Sequence, residues 1–428
     1  MTPYKIAGID VHKKMLAVVV ADVAVEGEPQ FQARRFSTTP DALRDFAAWL
    51  LQQGVQEAVM ESTAQYWKPV WEALERYWAP HGPAAGRLYL AQAKSNRAPR
   101  GRKNDFADAE RLVKRHVAQE LVISFVPSPE QRLWRTITRR KLQLTRARTR
   151  LQNQWESFLE EAHIKLSSWV SDLLGQSGRR MLKALAEGEK DPAALAALAD
   201  SRLRATPQQL CDALGACSEL NRVYRELLKM SLQELALLEK QMEQLDREIS
   251  ALLEPHREAV RRLAEVPGLG IHSAHQIIAE IGPSAATFPS AKELASWVGV
   301  CPGEEETAGV CYSHRSPKGN RNMRRILDQA AHAAIKVKGS IFAAVFQRLR
   351  GHGLEYQEAI DRASPVPAHL DHSPSRAPLR GTRPRCQRQV QATPHRQDGA
   401  GTSTYGLPDP TAHDPPTSVR YFQPCPGF

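Results

Sequence analysis

The sequence predicts an α/β domain with a mixed sheet, followed by an all-helical remainder. Three observations predict it. Short apolar runs alternate with amphipathic segments over roughly the first 120 residues. Two long segments beyond Pro127 repeat apolar residues every seven. Residues 255–338 then read as a compact helical domain.

Residues 4–25 hold two β-rich runs separated by His12-Lys13-Lys14, a hairpin signal. Leu43, Phe46, Ala47 and Leu50 share a helical face after Thr39-Pro40. Residues 57–60 form a short apolar run that ends at Glu61. Residues 68–77 read as a helix with Pro69 in its first turn. Residues 87–90 are a strand candidate, and 106–116 a further helix.

Beyond Pro127, residues 132–166 are helical by period, with Ile137, Leu144, Leu151 and Phe158 seven apart. A second long helix spans about 219–253. Leu228, Leu235, Met242 and Ile249 fit one heptad position, and Leu238, Leu245 and Leu252 fit the other. Such a seam suits a coiled coil between chains or a helix pair within one. From Gly339 the helical pattern decays.

The chain has 428 residues, 58 Lys+Arg and 47 Asp+Glu, for a formal charge of +11. That balance favours a polyanionic partner without naming it. The apolar run Met15–Val25 is cut by Asp22 and is too short to span a bilayer, so no membrane partner is expected. The start lacks the pattern of a secretory signal, which points to a cytoplasmic protein. The six cysteines form no CxxC pair, so they read as reduced thiols rather than a zinc ribbon.

Four constellations carry chemistry. Asp10 ends the run IAGID and Glu61 ends AVME, while Asp105 and Asp108 lie three apart on one helix face. Carboxylates gathered at one point repel unless divalent cations neutralise them, and oxygen donors suit Mg²⁺ or Mn²⁺. Two such ions can clamp the attacking and leaving oxygens of a phosphodiester. Spacing alone leaves solvated surface acids as the alternative.

Val266-Pro267-Gly268-Leu269-Gly270 followed by Ala274, Ile277 and Ile278 has the pattern of a helix-hairpin-helix, in which Gly268 and Gly270 would let backbone N–H groups meet a DNA phosphate. An ordinary helical hairpin is the alternative. The basic segment 313–325 carries Arg315, Lys318, Arg321, Arg324 and Arg325, suited to phosphate. The segment 132–150 carries Arg139, Arg140, Lys141 and Arg146 among eight basic residues with no acid between them. Such a face would repel itself without a polyanion. For both basic segments a solvated charged face is the alternative.

Taken in order, GIDVHK, MESTAQYWKP, GRKNDFADAERL, VPGLG, CPGEEETAG and SPKGNRNMRR resemble the bridge-RNA-guided DEDD transposases of bacterial insertion sequences, over roughly residues 4–345. The resemblance implies a RuvC-like nuclease domain of the ribonuclease H type at 1–126, a helical and coiled-coil region at 127–254, and a C-terminal transposase domain with a helix-hairpin-helix at 255–345. It implies that Asp10, Glu61, Asp105 and Asp108 are the DEDD acids that bind divalent metal. It further implies a recombinase that excises and inserts its element, an element-encoded RNA that pairs with target and donor DNA, and an oligomer whose active sites form between protomers. The expected setting is the cytoplasm, at the nucleoid. A junction-resolving endonuclease and a catalytically impaired nucleic-acid-binding relic are the alternative readings.

The sequence departs from the family at two places. Where the family has a nucleophilic serine, this chain has Thr307, in Glu306-Thr307-Ala308-Gly309. Threonine keeps the hydroxyl, but its Cβ methyl crowds the oxygen. Residues 346–428 form the second departure. From Arg362 onward there are 8 Arg, no Lys, no Glu and 12 of the 29 prolines. A GC-rich gene read in a shifted frame yields such a tail, with the shift expected near 360–363. A genuine disordered tail is the alternative.

Overall fold

The two apolar runs near the start form an antiparallel pair, β1 (Lys5–Val11) and β2 (Met15–Asp22). Both are buried on both faces, as their unbroken apolar content requires. The computed structural model describes residues 4–23, 31–81, 86–96, 104–284, 287–300, 305–307, 310–313, 319–353 and 356. All of them lie in one unit, Met1–His372.

The chain continues through β3 (Phe31–Ser37), α1 (Pro40–Gln52), β4 (Glu57–Glu61), α2 (Trp67–Tyr77), β5 (Arg87–Ala91), α3 (Asp105–Val117) and β6 (Ile123–Ser124). The sheet order is β3-β2-β1-β4-β5-β6. β1, β4 and β5 run parallel, and β2 runs against its neighbours β1 and β3. This is the ribonuclease H-type sheet that the resemblance implies. β3 escaped the sequence reading because FQARRFS presents mostly exposed, polar residues, as an edge strand can.

Helices cover both faces. Ala7, Ile9, Val18, Ala58 and Met60 pack with Phe46 and Leu50 of α1 and Leu74 of α2. Ile6, Val19, Val59 and Ala91 face Ala109, Leu112 and Val113 of α3.

The helical remainder begins with α4 (Pro129–Glu161), N-capped by Ser128. Three helices absent from the sequence reading follow: α5 (Gln176–Glu187), α6 (Pro192–Ala196) and α7 (Pro207–Ala213). Then comes α8 (Arg222–Leu252). The pairs Lys141–Asp246, Arg148–Glu239 and Tyr224–Glu161 make α4 and α8 antiparallel partners. The heptad residues Leu228, Leu235 and Leu238 bury against Leu144, Leu151, Trp155 and Leu159. The seam is therefore filled within the chain, not by a second chain. Glu239 also accepts from Arg179 Nη1 at 2.6 Å, which ties α5 to the pair.

α9 (Arg257–Ala264), α10 (Ile271–Ile281), α11 (Ala291–Val298) and α12 (Arg321–Ala334) surround a second helical core. Trp134 of α4 and Ile249 of α8 belong to that core, so α4 spans both. Between α11 and α12 lies a small antiparallel hairpin, β7 (Glu305–Thr307) and β8 (Val310–Ser313), in a region the sequence reads as helical. α13 (Ile341–Gly351) extends the helices past Gly339. Phe346 is its one buried residue, so its apolar pattern is faint. The tail beyond residue 356, with the expected frame shift, lies outside the described residues. Among the described residues no helix is long and apolar enough to cross a membrane. Cys211 and Cys217 are free thiols.

Glu280 joins these helices. Its carboxylate is 2% exposed. Arg139 of α4 donates to both oxygens at 2.9 Å. Asn320 and Asn322, at the start of α12, donate at 2.9 and 3.2 Å. Gln131 Nε2 and Arg135 Nε donate to the Ala279 carbonyl at 3.2 and 3.1 Å, covering the free carbonyls at the end of α10. Burial alone would raise the Glu280 carboxyl. The Arg139 bonds and the nearby Arg135 overcome it and hold the group below its ordinary value of 4.5.

Glu280→Ala strands two partly buried guanidinium groups and is expected to cost about 3–5 kcal/mol, read as a lower urea midpoint. The Glu280 contribution is fully present above the ordinary carboxylate value and fades as pH falls through the lower folded value. The variant should therefore lose less stability than the parent on acidification through that range.

Candidate metal centre

β1 and β4 are parallel neighbours, with Ile9 opposite Met60. Their next residues, Asp10, the penultimate residue of β1, and Glu61, the last of β4, thus lie at the same end of adjacent strands. Alternation puts both on the face of Ile6 and Val59, the face that α3 covers. α3 starts at Asp105, capped by Asn104, whose side chain accepts from Phe106 N at 3.1 Å. The first turn of α3 therefore brings Asp105 and Asp108 toward Asp10.

Gly8 permits that approach. A Cβ there would overlap the Ala109 carbonyl oxygen and lie 2.8 Å from Val113 Cγ2. At the far end of α3, His116 Nε2 lies 3.4 Å from the buried Glu57 carboxylate, which also pairs with Arg87 at 3.1 Å. Burial, opposed by Glu57, lowers the His116 pKa. The helix is held at both ends.

His12 Nε2 lies 3.0 Å from Asp10 Oδ2 and 3.2 Å from Asp105 Oδ1. These three donor atoms lie within 4.8 Å of one another. Burial raises the Asp10 pKa. His12 opposes the shift, and Asp108 and Asp105 add to it. A carboxylate held among like charges in a part-buried site suits a divalent cation. Glu61 accepts from Asn96 Nδ2 at 2.9 Å and from Thr63 Oγ1 at 3.3 Å. Asn96 is buried. Arg111, one turn along α3, pairs with Asp108.

Of the four acids singled out in the sequence, Asp10 and Asp105 meet at His12. Asp108 acts on Asp10 electrostatically, and Glu61 is held apart from that cluster by Asn96 and Thr63. The sequence did not single out His12, Asn96, Thr63 or Arg111. His12 reads as part of a polar turn, Asn96 lies in an unassigned stretch, and Arg111 falls in the 106–116 helix with no role assigned. An His two residues past a strand-end Asp was the available signal.

The remaining expected residues are spread over the helical remainder. The basic face of α4 finds acids from elsewhere in the chain: Arg132 pairs with Glu75 at 2.6 Å, Arg139 with Glu280, Lys141 with Asp246 and Arg148 with Glu239. The repulsion expected of that face is relieved internally at these positions. Arg140 and Arg146 are exposed. Arg325 of α12 donates to Gln276 Oε1 at 2.5 Å, and burial together with the charge of Arg146 lowers its pKa. Arg321 is exposed, and Arg324 is half-buried. Gly268 has a φ of +88°, and a Cβ there would overlap the Ala330 carbonyl oxygen, so it seats the α9–α10 turn on α12. Gly270 opens α10 with nothing near its missing Cβ. Thr307 ends β7 opposite Val310. Arg315 and Lys318 lie outside the described residues.

Two family models match the chain. One, a transposase model named for the DEDD acids and IS110, covers residues 7–164. The other, described as Transposase IS116/IS110/IS902 family, covers residues 260–347. The chain belongs to the IS110 family of DEDD transposases. A probable family 20 transposase of Pseudomonas aeruginosa is 28% identical over 265 residues, covering 61% of this chain and 68% of that protein. An uncharacterized 43.6 kDa protein of insertion element IS110 in Streptomyces coelicolor is 27% identical over 129 residues, covering 30% of this chain and 31% of that protein. Among solved structures, Thermus thermophilus RuvC matches 28% of this transposase and 99% of its own chain, with a TM-score of 0.22 and 14% identity.

Gly8→Ala should push the first turns of α3 away from β1. At an overpacking cost of about 1–3 kcal/mol, a roughly tenfold loss of Mn²⁺ affinity is expected with little change in far-UV circular dichroism. Calorimetric titration checks this, and unchanged affinity would show that the close approach does not set the site.

Proposed function

We propose that this transposase cuts and rejoins DNA by metal-assisted phosphodiester chemistry, with Asp10, Glu61, Asp105 and Asp108 holding Mg²⁺ or Mn²⁺. The observation that carries the reading is the convergence of strand-end acids and the α3 acids on one face. The bound cations would supply charge neutralisation at the scissile phosphate and activation of the attacking oxygen. The chain's own residues do the rest. Asn96 fixes the Glu61 carboxylate, and Arg111 fixes Asp108. Thr307 occupies the nucleophile position of the transposase domain. Its hydroxyl oxygen would bond to phosphorus, and the departing strand end would leave as a hydroxyl.

Nucleic acid would be held by Arg140, Arg146, Arg321 and Arg325, with the segment through Arg315 and Lys318 and the uncapped start of α10 at Gly270. Arg146 and Arg325 crowd one another electrostatically, and a phosphate between them would relieve this. We assign the partners as DNA and a structured RNA from the element, in the cytoplasm. The domain limits 1–126, 127–254 and 255–345 are kept as functional units, although α4 and α8 contribute to both helical cores.

A homo-oligomer is supported by a stripe on α8. Val223, Met230 and Leu237 are seven apart and 63%, 63% and 55% exposed. Three apolar side chains at this spacing form a seam that a second helix would cover. Met230→Glu is expected to shift sedimentation toward the monomer, and an unchanged distribution would remove the stripe from the assembly.

The activity test is strand cleavage of element-end DNA with and without the element's RNA. Asp10→Asn and Glu61→Gln should each lower cleavage at least about 100-fold. A covalent protein–DNA adduct that is lost in Thr307→Ala and strengthened in Thr307→Ser supports recombination. Cleavage without any adduct supports the junction-endonuclease reading. RNA binding without cleavage supports an impaired relic.

A further inference from the structure

The contact between His12 and the two acids is not a satisfactory pair of hydrogen bonds. Nε2 carries at most one proton, so it cannot donate well to both Asp10 and Asp105. It nevertheless lies 3.0 and 3.2 Å from them. Adjacent ligands of an octahedral ion at about 2.1 Å are about 3.0 Å apart. The nitrogen therefore already stands at the spacing of a neighbouring ligand from each of the two carboxylate oxygens, and all three atoms lie within 4.8 Å of one another. The turn that carries His12 is braced: its backbone N–H donates to the Met15 carbonyl at 3.0 Å, and Thr38 Oγ1 donates to the Lys13 carbonyl at 2.9 Å.

We infer that His12 is a direct metal ligand, so that this DEDD centre has a nitrogen donor and prefers Mn²⁺ to Mg²⁺. The inference rests on the metal-centre reading above and deepens it. Mg²⁺ takes oxygen ligands almost alone and dehydrates reluctantly. Mn²⁺, although it too suits oxygen donors, stands at the low end of the transition-metal affinity series and tolerates one imidazole among its carboxylates better than Mg²⁺ does. The neutral imidazole gives its Nε2 lone pair to the ion and keeps its proton on Nδ1. His12 is half-exposed in a turn, so its replacement spares both cores.

The experiment is pulsed electron paramagnetic resonance of the full chain loaded with Mn²⁺, beside calorimetric Mn²⁺ and Mg²⁺ titrations. The expected result is a ¹⁴N coupling from a bound imidazole that disappears in His12→Gln, with the preference for Mn²⁺ over Mg²⁺ falling about tenfold. His12→Asp should bind both ions without the ¹⁴N coupling, with the preference moved further toward Mg²⁺. Mn²⁺ bound at a site abolished by Asp10→Asn, but with no ¹⁴N coupling, overturns the His12 assignment and leaves the metal centre standing. Mn²⁺ binding indifferent to Asp10→Asn overturns both.

Discussion

The buried carboxylate of Glu280 is the constraint on which the helical half depends. A charge this deep is tolerated only with its oxygens occupied, and Arg139, Asn320 and Asn322 occupy them. These partners come from α4 and from the start of α12, more than 140 residues and 40 residues away in the chain. Arg135 and Gln131 add bonds to the end of α10. The bonds fix the direction in which α12 begins. They thereby anchor the start of the helix that carries Arg321, Arg324 and Arg325.

The acidic centre is built differently. It uses backbone proximity rather than a buried ion pair. Parallel pairing of β1 with β4 puts two acids side by side at no cost in conformational choice. The missing side chain at Gly8 then lets a helix lie close enough to add two more. The residues around these acids orient them by single hydrogen bonds. The site stays part-exposed, which the proposed entry of a DNA backbone requires.

Legibility in the sequence followed the range of the interaction. Asp10 and Glu61 could be read because strand ends are marked by local pattern, and Asp105 and Asp108 because three residues is nearly one helical turn. β3 could not, since an exposed edge strand carries little apolar alternation. The heptads of α8 were plain, but their partner was not, because a seam looks the same whichever helix fills it. The basic run on α4 was the costliest ambiguity. Its local sequence holds no acids, yet Glu75, Asp246, Glu239 and Glu280 arrive from far along the chain to meet it. His12 shows the converse limit, since a ligand two residues from an aspartate has the same local signature as a turn.

The antiparallel pairing of α4 and α8 makes the stretch between them an arm that leaves the body and returns to it. Its bonds form rungs: Lys141 with Asp246, Arg148 with Glu239, and Glu161 with Tyr224. Each step outward on one helix is matched by a step back on the other. Deleting whole turns from a single helix would slide every outer rung past its mate. Deleting the same length from both would shorten the arm while its root, at Trp134 and Ile249, kept its packing. Reach is thus a quantity this fold can change independently of its two working ends.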